Sequence, residues 1–342
     1  MNSIRNSKIV RMMLDRIYIY SKDRLARRYY YIYKNKIKSW DDIIYSSWKH
    51  NEIFNGGGYR YIENSIYKYD KTRYLPRLVF ATSTICSLNC EYCAELIPYI
   101  NNKRFLDYNI IKDDFETIFR CVDMCVSVEI IGGEPFIHPD IAKIIELFTE
   151  CPKIDIVEIT TNAMCKLDND VIHKLKDNKI RVNISDYGHN HNKVEELCRI
   201  LDENNVWYQI WTNDEQSWVD SGGITKRNKR KEQLEYEYQT CDAACLCRTV
   251  YNGRLYVCSR GIGIDDNNLL EDNSSYINIH ELKNMTKDEG WKVLKQFWLS
   301  EFASICDYCD YNTIPLKFLD LSKRGKQIER VHKMESTTNN SL

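Results

Sequence analysis

The sequence lacks three features that would each define a class of protein. No apolar run reaches the ~18 residues that a membrane-spanning helix needs. The N-terminus has no apolar core of the kind that signal peptides carry. An excess of one charge is also missing, since 48 Lys and Arg face 49 Asp and Glu. This balance excludes a strongly acidic disordered chain and a globally basic protein that charge alone holds to nucleic acid. We expect a globular cytoplasmic protein with no membrane span and no nucleic-acid partner.

The 14 cysteines are the most informative part of the composition. Thiols stay reduced inside cells, so clustered cysteines there hold metal more often than they form disulfides. A length of 342 residues suits one barrel-sized domain with an accessory module. The composition therefore predicts a metal-containing protein of more than one part.

The pattern along the chain predicts five regions. Residues 1–75 are basic and tyrosine-rich, with apolar residues at helical spacing, and are predicted to be a helical extension. In 76–225, short β-rich runs alternate with helices, which makes βα units and a parallel sheet. Five strands are evident, with a weakly patterned sixth after Asn213, so the predicted α/β core is a partial (β/α)5–6 TIM-type barrel. We expect a linker at 226–240, a cysteine-rich module of a β-hairpin and helix at 241–312, and a polar tail at 313–342.

The string Cys86-Ser-Leu-Asn-Cys90-Glu-Tyr-Cys93 places three thiolates within eight residues. They converge on one object only if the backbone loops around it. A [4Fe–4S] cluster is such an object, and three ligands leave one iron open for a small molecule. A zinc site with a distant fourth ligand is the alternative. The string follows a predicted strand and precedes a helix, where α/β barrels place their sites.

This C-x3-C-x2-C string, with Tyr92 before its third cysteine, resembles the cluster motif of the radical S-adenosylmethionine (SAM) superfamily. The resemblance covers about residues 78–213. It implies that a reduced cluster on Cys86, Cys90 and Cys93 cleaves SAM to methionine and a 5′-deoxyadenosyl radical. That radical removes a hydrogen atom from a substrate, and a flavodoxin-type or ferredoxin-type protein supplies the electron.

Three further segments follow in the order the family shows. The segment Gly132-Gly133-Glu134-Pro135 ends the second strand and resembles the GGEP motif, which contacts the methionine amino group of SAM. Two glycines there would let backbone approach a ligand closely. The ends of the third and fourth strands carry Asn162 and Ser185, where family members have residues near the cofactor. The resemblance implies that Tyr92 and these six residues form the SAM site.

A second set of cysteines lies at 241, 245, 247, 258, 306 and 309. Asn252-Gly253 predicts a hairpin with a type I′ turn, in which residues whose numbers sum to 505 face each other. Cys247 then lies opposite Cys258. Cys306-Asp-Tyr-Cys309 can close the same site, and a zinc ribbon remains open.

The second set also resembles the SPASM/Twitch extensions of radical SAM enzymes, in which Gly-x4-Cys marks an auxiliary [4Fe–4S] cluster. Gly253 and Cys258 have that spacing, and Cys241 has the family's spacing to the glycine. A single later C-x2-C favours a Twitch-like module with one cluster. Cys258, Cys306 and Cys309 are predicted to be three of the four cluster ligands. For the fourth ligand the resemblance favours Cys241, whereas the hairpin geometry favours Cys247. Cys245 is not expected to be a ligand. Five other cysteines are expected to be small core residues, at 121, 125, 151, 165 and 198.

An auxiliary cluster can accept an electron from the substrate radical. We therefore expect a two-electron oxidation of a small polar, sugar-like substrate. A peptide maturase that forms a crosslink is the alternative within the family. An alternative of another class is a non-catalytic zinc or iron–sulfur scaffold whose basic N-terminus binds a polyanion. The GGEP segment after a barrel strand favours an enzyme, since a scaffold has no need of it there.

Overall fold

The computed structural model describes residues 73–211, 219–241, 243–244, 247–300, 302–311 and 319–329. The predicted helices of the N-terminal extension and the residue Cys245 lie outside these ranges, and Tyr74 and Leu75 already belong to the first strand. In the barrel region the elements run β1 (Tyr74–Ala81), α1 (Tyr108–Cys121), β2 (Met124–Ile131), α2 (Ile141–Thr149), β3 (Ile154–Thr161), α3 (Asn169–Leu175), β4 (Ile180–Ser185), α4 (His191–Glu203) and β5 (Tyr208–Trp211). Then follow α5 (Lys231–Thr240), β6 (Cys247–Tyr251), β7 (Arg254–Tyr256), α6 (Arg260–Asp266), β8 (Tyr276–Asn278) and α7 (Lys287–Trp298).

Among the described residues the strands form one open eight-stranded sheet in the order β5-β4-β3-β2-β1-β6-β7-β8. Strands β1 to β6 pair with one another in parallel, whereas β7 pairs with both β6 and β8 in antiparallel fashion. The sheet does not close, which confirms the predicted partial barrel.

Among the described residues the sixth parallel strand is β6, and the weakly patterned strand predicted after Asn213 begins outside the described ranges. Strand β6 pairs with the other edge of β1, with Arg77 opposite Cys247 and Phe80 opposite Val250. The hairpin of the cysteine-rich module thus continues the barrel sheet. The physical reason is that β1 would otherwise present an unpaired edge of backbone donors and acceptors. Sequence pattern does not show which strand covers that edge.

The two faces of the sheet differ in chemistry. On the helix-covered face, the Phe80 ring lies 4.8 Å from the Phe148 ring of α2 and 6.3 Å from the Phe115 ring of α1. Residues at alternate positions point to the opposite side. That side, called the inner face below, carries half-buried polar residues such as Glu129 and Glu158. Fully covered parallel sheets are apolar on both faces, so a polar inner face marks a place that water or ligand reaches.

Residues 226–240 are predicted to be a linker, whereas the structure shows α5 with Leu234 and Tyr238 buried. Tertiary contacts hold this segment. The Lys229 ammonium lies 2.6 Å from the Glu237 carboxylate and donates to the carbonyl oxygen of Cys306. Lys229 therefore pairs with α5 and with the second cysteine segment instead of facing solvent, which a local reading of charge cannot show.

The buried Arg248 of β6 joins three elements around this module. Its side chain is fully buried and stacks over the rings of Phe297 and Trp298 at the end of α7. Its guanidinium donates to five oxygens, those of Tyr238 (hydroxyl) and of Ala244, Cys247, Phe297 and Trp298 (carbonyl).

We expect Arg248→Met to lower the free energy of unfolding by about 3 kcal/mol or more, because several buried oxygens lose their donor. The exposed Arg199 of α4 offers the matched control, since Arg199→Met should change stability by less than about 0.5 kcal/mol. Urea unfolding measures both. Equal midpoints for the two variants would show that Arg248 does not hold the module together.

Candidate active site

The three cysteines of the first set lie in the loop that follows β1. The loop turns on itself, since the backbone N–H of Cys93 donates to the Cys90 carbonyl at 3.1 Å and that of Leu96 to the Cys93 carbonyl at 3.1 Å. Burial raises the pKa of the Cys86 and Cys93 thiols to about 12 and also raises the pKa of Cys90. The charges of the neighbouring cysteines add to the rise at Cys86 and Cys93. The structure thus brings the three predicted thiols together.

The diglycine after β2 lies against this loop. The N–H of Gly133 donates to the Ser83 carbonyl and the N–H of Glu134 to the Ile85 carbonyl, both at 3.0 Å. A Cβ on Gly132, which has φ +155°, would lie 2.6 Å from the Ser83 oxygen, and one on Gly133 would lie 2.0 Å from the Ile85 oxygen. The sequence predicts that these glycines leave room for a ligand. In the structure, the absence of a Cβ at these positions instead leaves room for the backbone that leads into the cysteine loop.

Glu134 ties the end of β2 to the end of β3. It is fully buried, and its Oε1 accepts from the N–H of Phe136 at 3.1 Å and from the Thr161 hydroxyl at 2.8 Å. Its Oε2 accepts from the N–H of Asn162 at 2.8 Å. Burial raises the pKa of this carboxyl to about 7, although the hydrogen bonds oppose the rise. The next residue, Pro135, is buried and begins a 3₁₀ turn.

Asn162 and Ser185 lie side by side at the ends of β3 and β4. The Asn162 amide donates to the Cys86 sulfur at 3.5 Å and to the Ser87 hydroxyl at 3.1 Å. Asn190 links the two strand ends, since its amide donates to the carbonyl oxygens of Asn162 and Ser185, each at 2.8 Å. Sequence reasoning missed Asn190. Its place just before α4, where asparagine is a common N-cap, gave the only signal.

Two tyrosines border the first set. Burial raises the pKa of Tyr187, and the charges of Cys90 and Cys93 add to the rise. Sequence reasoning did not find Tyr187. Tyr92, predicted near the cofactor, lies beneath Lys323, whose ammonium is 5.7 Å from the ring centroid.

The second set brings four cysteines together. Burial raises the pKa of the Cys306 thiol well above its usual value, and the charges of Cys241, Cys258 and Cys309 raise it further. Burial likewise raises the pKa of Cys258 to about 11, with Cys309 as the next cause.

The predicted hairpin register is confirmed, since Tyr251 pairs with Arg254 and Thr249 with Tyr256. Strand β7 ends at Tyr256, and the N–H of Val257 then donates to the Ser275 carbonyl. Cys258 therefore leaves the ladder before it can face Cys247. Cys247 pairs in the sheet with Arg77 of β1 instead. This placement favours Cys241 over Cys247 as the fourth ligand.

The spacing of the thiols indicates which metal group fits. In the part of the chain that the structure describes, neither cysteine set brings three sulfur atoms within 4.8 Å of one another. A tetrahedral zinc ion with Zn–S bonds of ≈ 2.3 Å needs sulfur atoms roughly 3.8 Å apart. A cubane places its irons at separate corners and so spreads its ligands farther. Both donor sets consist of thiols, and thiolates are the usual protein ligands of iron–sulfur clusters, so their chemistry fits such clusters.

Glu95 lies between the two cysteine sets. Its carboxylate accepts from the Ser259 hydroxyl at 2.8 Å, next to Cys258 in sequence. Burial raises the pKa of Glu95 to about 7, and the charge of Glu129 on the inner face adds to the rise. Arg260 also donates to the Ala94 carbonyl at 3.2 Å. The inner face therefore leads to the junction of the two sets.

A chain of polar side chains crosses the inner face. The guanidinium of Arg77 lies 2.8 Å from the Glu129 carboxylate and 3.0 Å from that of Glu158. The Asn183 amide donates to Glu158 at 3.0 Å, and the Gln209 amide donates to Asn183 at 2.7 Å. Sequence reasoning missed these residues, although polar positions inside otherwise apolar parallel strands were the available signal.

The fold and the site define a class of protein: a partial barrel whose first strand leads into a loop with three converging thiols. Residues 80–207 match the family model described as the Radical SAM superfamily. Over these residues the chain is similar to the radical SAM superfamily. That superfamily uses a [4Fe–4S] cluster and S-adenosylmethionine.

Curated relatives match part of the chain. GTP 3′,8-cyclase of Clostridium perfringens (strain 13 / Type A) is 30% identical over 133 residues, which are 36% of this chain and 38% of that protein. GTP 3′,8-cyclase of Listeria monocytogenes serovar 1/2a is 32% identical over 81 residues, covering 23% of this chain and 24% of that protein. The chain therefore spans well under half the length of the curated relatives it matches.

Solved structures are similar at a lower level. BtrN in complex with AdoMet and 2-DOIA has a TM-score of 0.46 and 17% identity, over 69% of this chain and 93% of that one. Streptococcus suis SuiB bound to precursor peptide SuiA has a TM-score of 0.37 and 16% identity, over 68% of each chain. No helix among the described residues is long and apolar enough to span a membrane.

Glu134 should make stability depend on pH. The unfolded carboxyl ionises near pH 4.5, whereas the buried one ionises near 7. Between these pH values the Glu134 carboxyl binds fewer protons in the unfolded chain than in the folded one. The contribution of Glu134 to the free energy of unfolding therefore falls as pH rises. We expect Glu134→Gln to flatten this fall when urea unfolding is measured from pH 5 to 8.

The exposed Glu150 provides the control, because Glu150→Gln removes one carboxylate without touching the motif. That variant should keep the wild-type slope. Parallel slopes for wild type and Glu134→Gln would contradict the raised pKa.

Proposed function

We propose that this protein is a cytoplasmic enzyme that binds SAM and a [4Fe–4S] cluster and oxidises a small polar substrate by two electrons. Cys86, Cys90 and Cys93 are the cluster ligands in this proposal. When bound, the reduced cluster supplies the electron that cleaves SAM to methionine and a 5′-deoxyadenosyl radical. A flavodoxin-type or ferredoxin-type protein is the electron donor. The described cysteines are free thiols, and thiols stay free in a reducing compartment such as the cytoplasm. This supports the proposed cytoplasmic location.

The residues around the first set have positioning roles. Glu134 uses its two oxygens on three donors of its own chain, so it holds the ends of β2 and β3 together rather than reaching a ligand. Asn162 contacts both Cys86 and Ser87, and Asn190 keeps Ser185 beside it. These contacts fix the strand ends on which the SAM site of the proposal is built.

One observation carries the proposed substrate class: the polar chain of the inner face leads to Glu95, between the two cysteine sets. Two carboxylates, Glu129 and Glu158, share one guanidinium there, which leaves acceptors for hydroxyl or amine donors. The Asn183 and Gln209 amides add further hydrogen-bonding groups. A hydroxyl-rich, sugar-like molecule matches such a lining, since it can exchange hydrogen bonds with water for hydrogen bonds with these side chains.

Cys241, Cys258, Cys306 and Cys309 are proposed to bind an auxiliary [4Fe–4S] cluster, and Cys247 is the remaining candidate ligand. Four thiolates would leave no open iron, which suits electron transfer. The oxidation then balances. The substrate loses a hydrogen atom to the 5′-deoxyadenosyl radical, one electron to the auxiliary cluster and one proton to a base. The match of residues 80–207 to the radical SAM family model supports an enzyme over the non-catalytic scaffold.

A peptide substrate is the second candidate, and the edge of the sheet favours it. Among the strands that the structure describes, β5 is the last at its side of the sheet. Trp207, Ile210 and Trp211 are each about two-fifths exposed along it. An extended peptide can add to such an edge through backbone hydrogen bonds while its side chains contact exposed aromatic residues.

We expect Cys90→Ala to abolish SAM cleavage, because two thiolates do not hold the first cluster. The reconstituted wild type should bind roughly eight irons and the variant roughly four, if both proposed clusters form. Iron analysis and 5′-deoxyadenosine formation under dithionite measure these changes. Cys198→Ala on α4 is the control and should keep both properties. Zinc in place of iron in the wild type, or cleavage by Cys90→Ala, would contradict the proposed cluster.

We expect Glu158→Gln to reduce substrate-stimulated cleavage at least about tenfold, which corresponds to about 1.4 kcal/mol of transition-state binding. Cleavage without substrate should be unchanged, since the residue lies away from the thiols. The measurement compares 5′-deoxyadenosine formed with and without a deuterated extract of small polar metabolites. Glu116→Gln on the exposed side of α1 is the control. Stimulation by peptide fractions alone would favour the second candidate.

A further inference from the structure

Residues 319–329, called the C-terminal strap below, cross the loop that carries the first cysteine set. The backbone N–H of Glu91 donates to the Lys326 carbonyl at 2.8 Å, and that of Ile328 to the Asn89 carbonyl at 3.0 Å. Cys90 and Gln327 are opposite each other in an antiparallel bridge. The sequence predicts only a polar tail from residue 313 onward, whereas this part of it contacts the cluster loop through an isolated antiparallel bridge.

Side chains anchor the strap at both ends of this bridge. The Lys326 ammonium lies 2.6 Å from the Glu91 carboxylate, and Lys323 lies over the Tyr92 ring. Gly325 has φ +61°, and a Cβ there would lie 2.4 Å from the His189 ring. Only glycine therefore lets the strap pass so close to the loop after β4.

Gln327 contacts the sulfur of Cys90 directly. Its Nε2 donates to the Cys90 Sγ at 3.3 Å, while its Oε1 accepts from the backbone N–H of Asn89. The Asn89 contact fixes the orientation of the amide, because only the oxygen can accept from an N–H. The N–H₂ group must therefore face the sulfur.

Among the described residues, few other groups donate hydrogen bonds to the sulfur atoms of the first cysteine set. Cys86 accepts from the Leu88 N–H at 3.4 Å and from the Asn162 amide at 3.5 Å. At Cys90 the strap supplies the side-chain donor from a segment 237 residues away. Hydrogen bonds to cluster sulfurs are among the factors that set the reduction potential of an iron–sulfur cluster.

We propose that Gln327 is a positioning residue that raises the reduction potential of the first cluster through its hydrogen bond to Cys90. The inference rests on the proposed function, in which Cys90 is a cluster ligand. The reduced cluster carries one more negative charge than the oxidised one. A donor on its thiolate stabilises the reduced state more, so the one electron from the donor protein is accepted more readily.

The test compares Gln327→Leu and Gln327→Glu with Ser322→Ala, a change on the strap that leaves the Cys90 contact intact. Leucine removes the donor at similar size, and glutamate at pH 8 replaces the donor by a negative charge. We expect the ratio of reduced to oxidised first cluster at a fixed potential to fall about threefold in Gln327→Leu. In Gln327→Glu it should fall about tenfold, which is 59 mV for one electron. Ser322→Ala should match the wild type.

Electron paramagnetic resonance in a redox titration of the reconstituted full chain gives this readout, and the signal that SAM perturbs identifies the first cluster. Equal midpoint potentials in all four proteins would overturn the inference. Loss of iron from the first cluster in Gln327→Leu would also overturn it, because the role would then be structural. A wild type with no SAM-responsive signal would instead refute the proposed function, which separates the two failures.

Discussion

The site depends on one stretch of backbone pairing, between residues 83–85 after β1 and the diglycine segment after β2. Two hydrogen bonds of 3.0 Å continue the pairing of these strands beyond their ends. Side chains at Gly132 or Gly133 would collide with the backbone there. The pairing directs the chain into the loop that collects Cys86, Cys90 and Cys93, and Glu134 extends the link to β3. The glycines act here through packing of the chain on itself.

The second constraint is the unpaired edge of β1. Because β6 covers that edge, the cysteine-rich module is built onto the barrel sheet itself. Ser259 then reaches Glu95 across 2.8 Å, so the two cysteine sets share a border. A substrate on the inner face would lie near both. The proposed function, in which hydrogen abstraction is coupled to electron acceptance, requires such an arrangement.

Local patterns predicted much of this fold. The alternation of β-rich runs and helices predicted the partial barrel, and Asn252-Gly253 predicted the hairpin register, because a two-residue turn determines which residues face each other. The helix and contacts of residues 226–240, predicted only as a linker, were not foreseen, since Lys229 pairs with Glu237 and with the distant segment around Cys306. The place of β6 beside β1 was not predicted for a similar reason: this pairing joins segments about 170 residues apart in the chain.

The sequence by itself determined the chemistry of this protein: the spacing of Cys86, Cys90 and Cys93 and the diglycine behind them are local, and local spacing limits what a loop can bind. The tertiary structure alone decided which residues surround that chemistry. Gln327 reaches Cys90, Glu95 meets Ser259, and Glu158 shares Arg77 with Glu129. Each of these contacts joins segments far apart in the chain. Burial, strand order and backbone pairing bring such segments together, and no pattern within a short window records them.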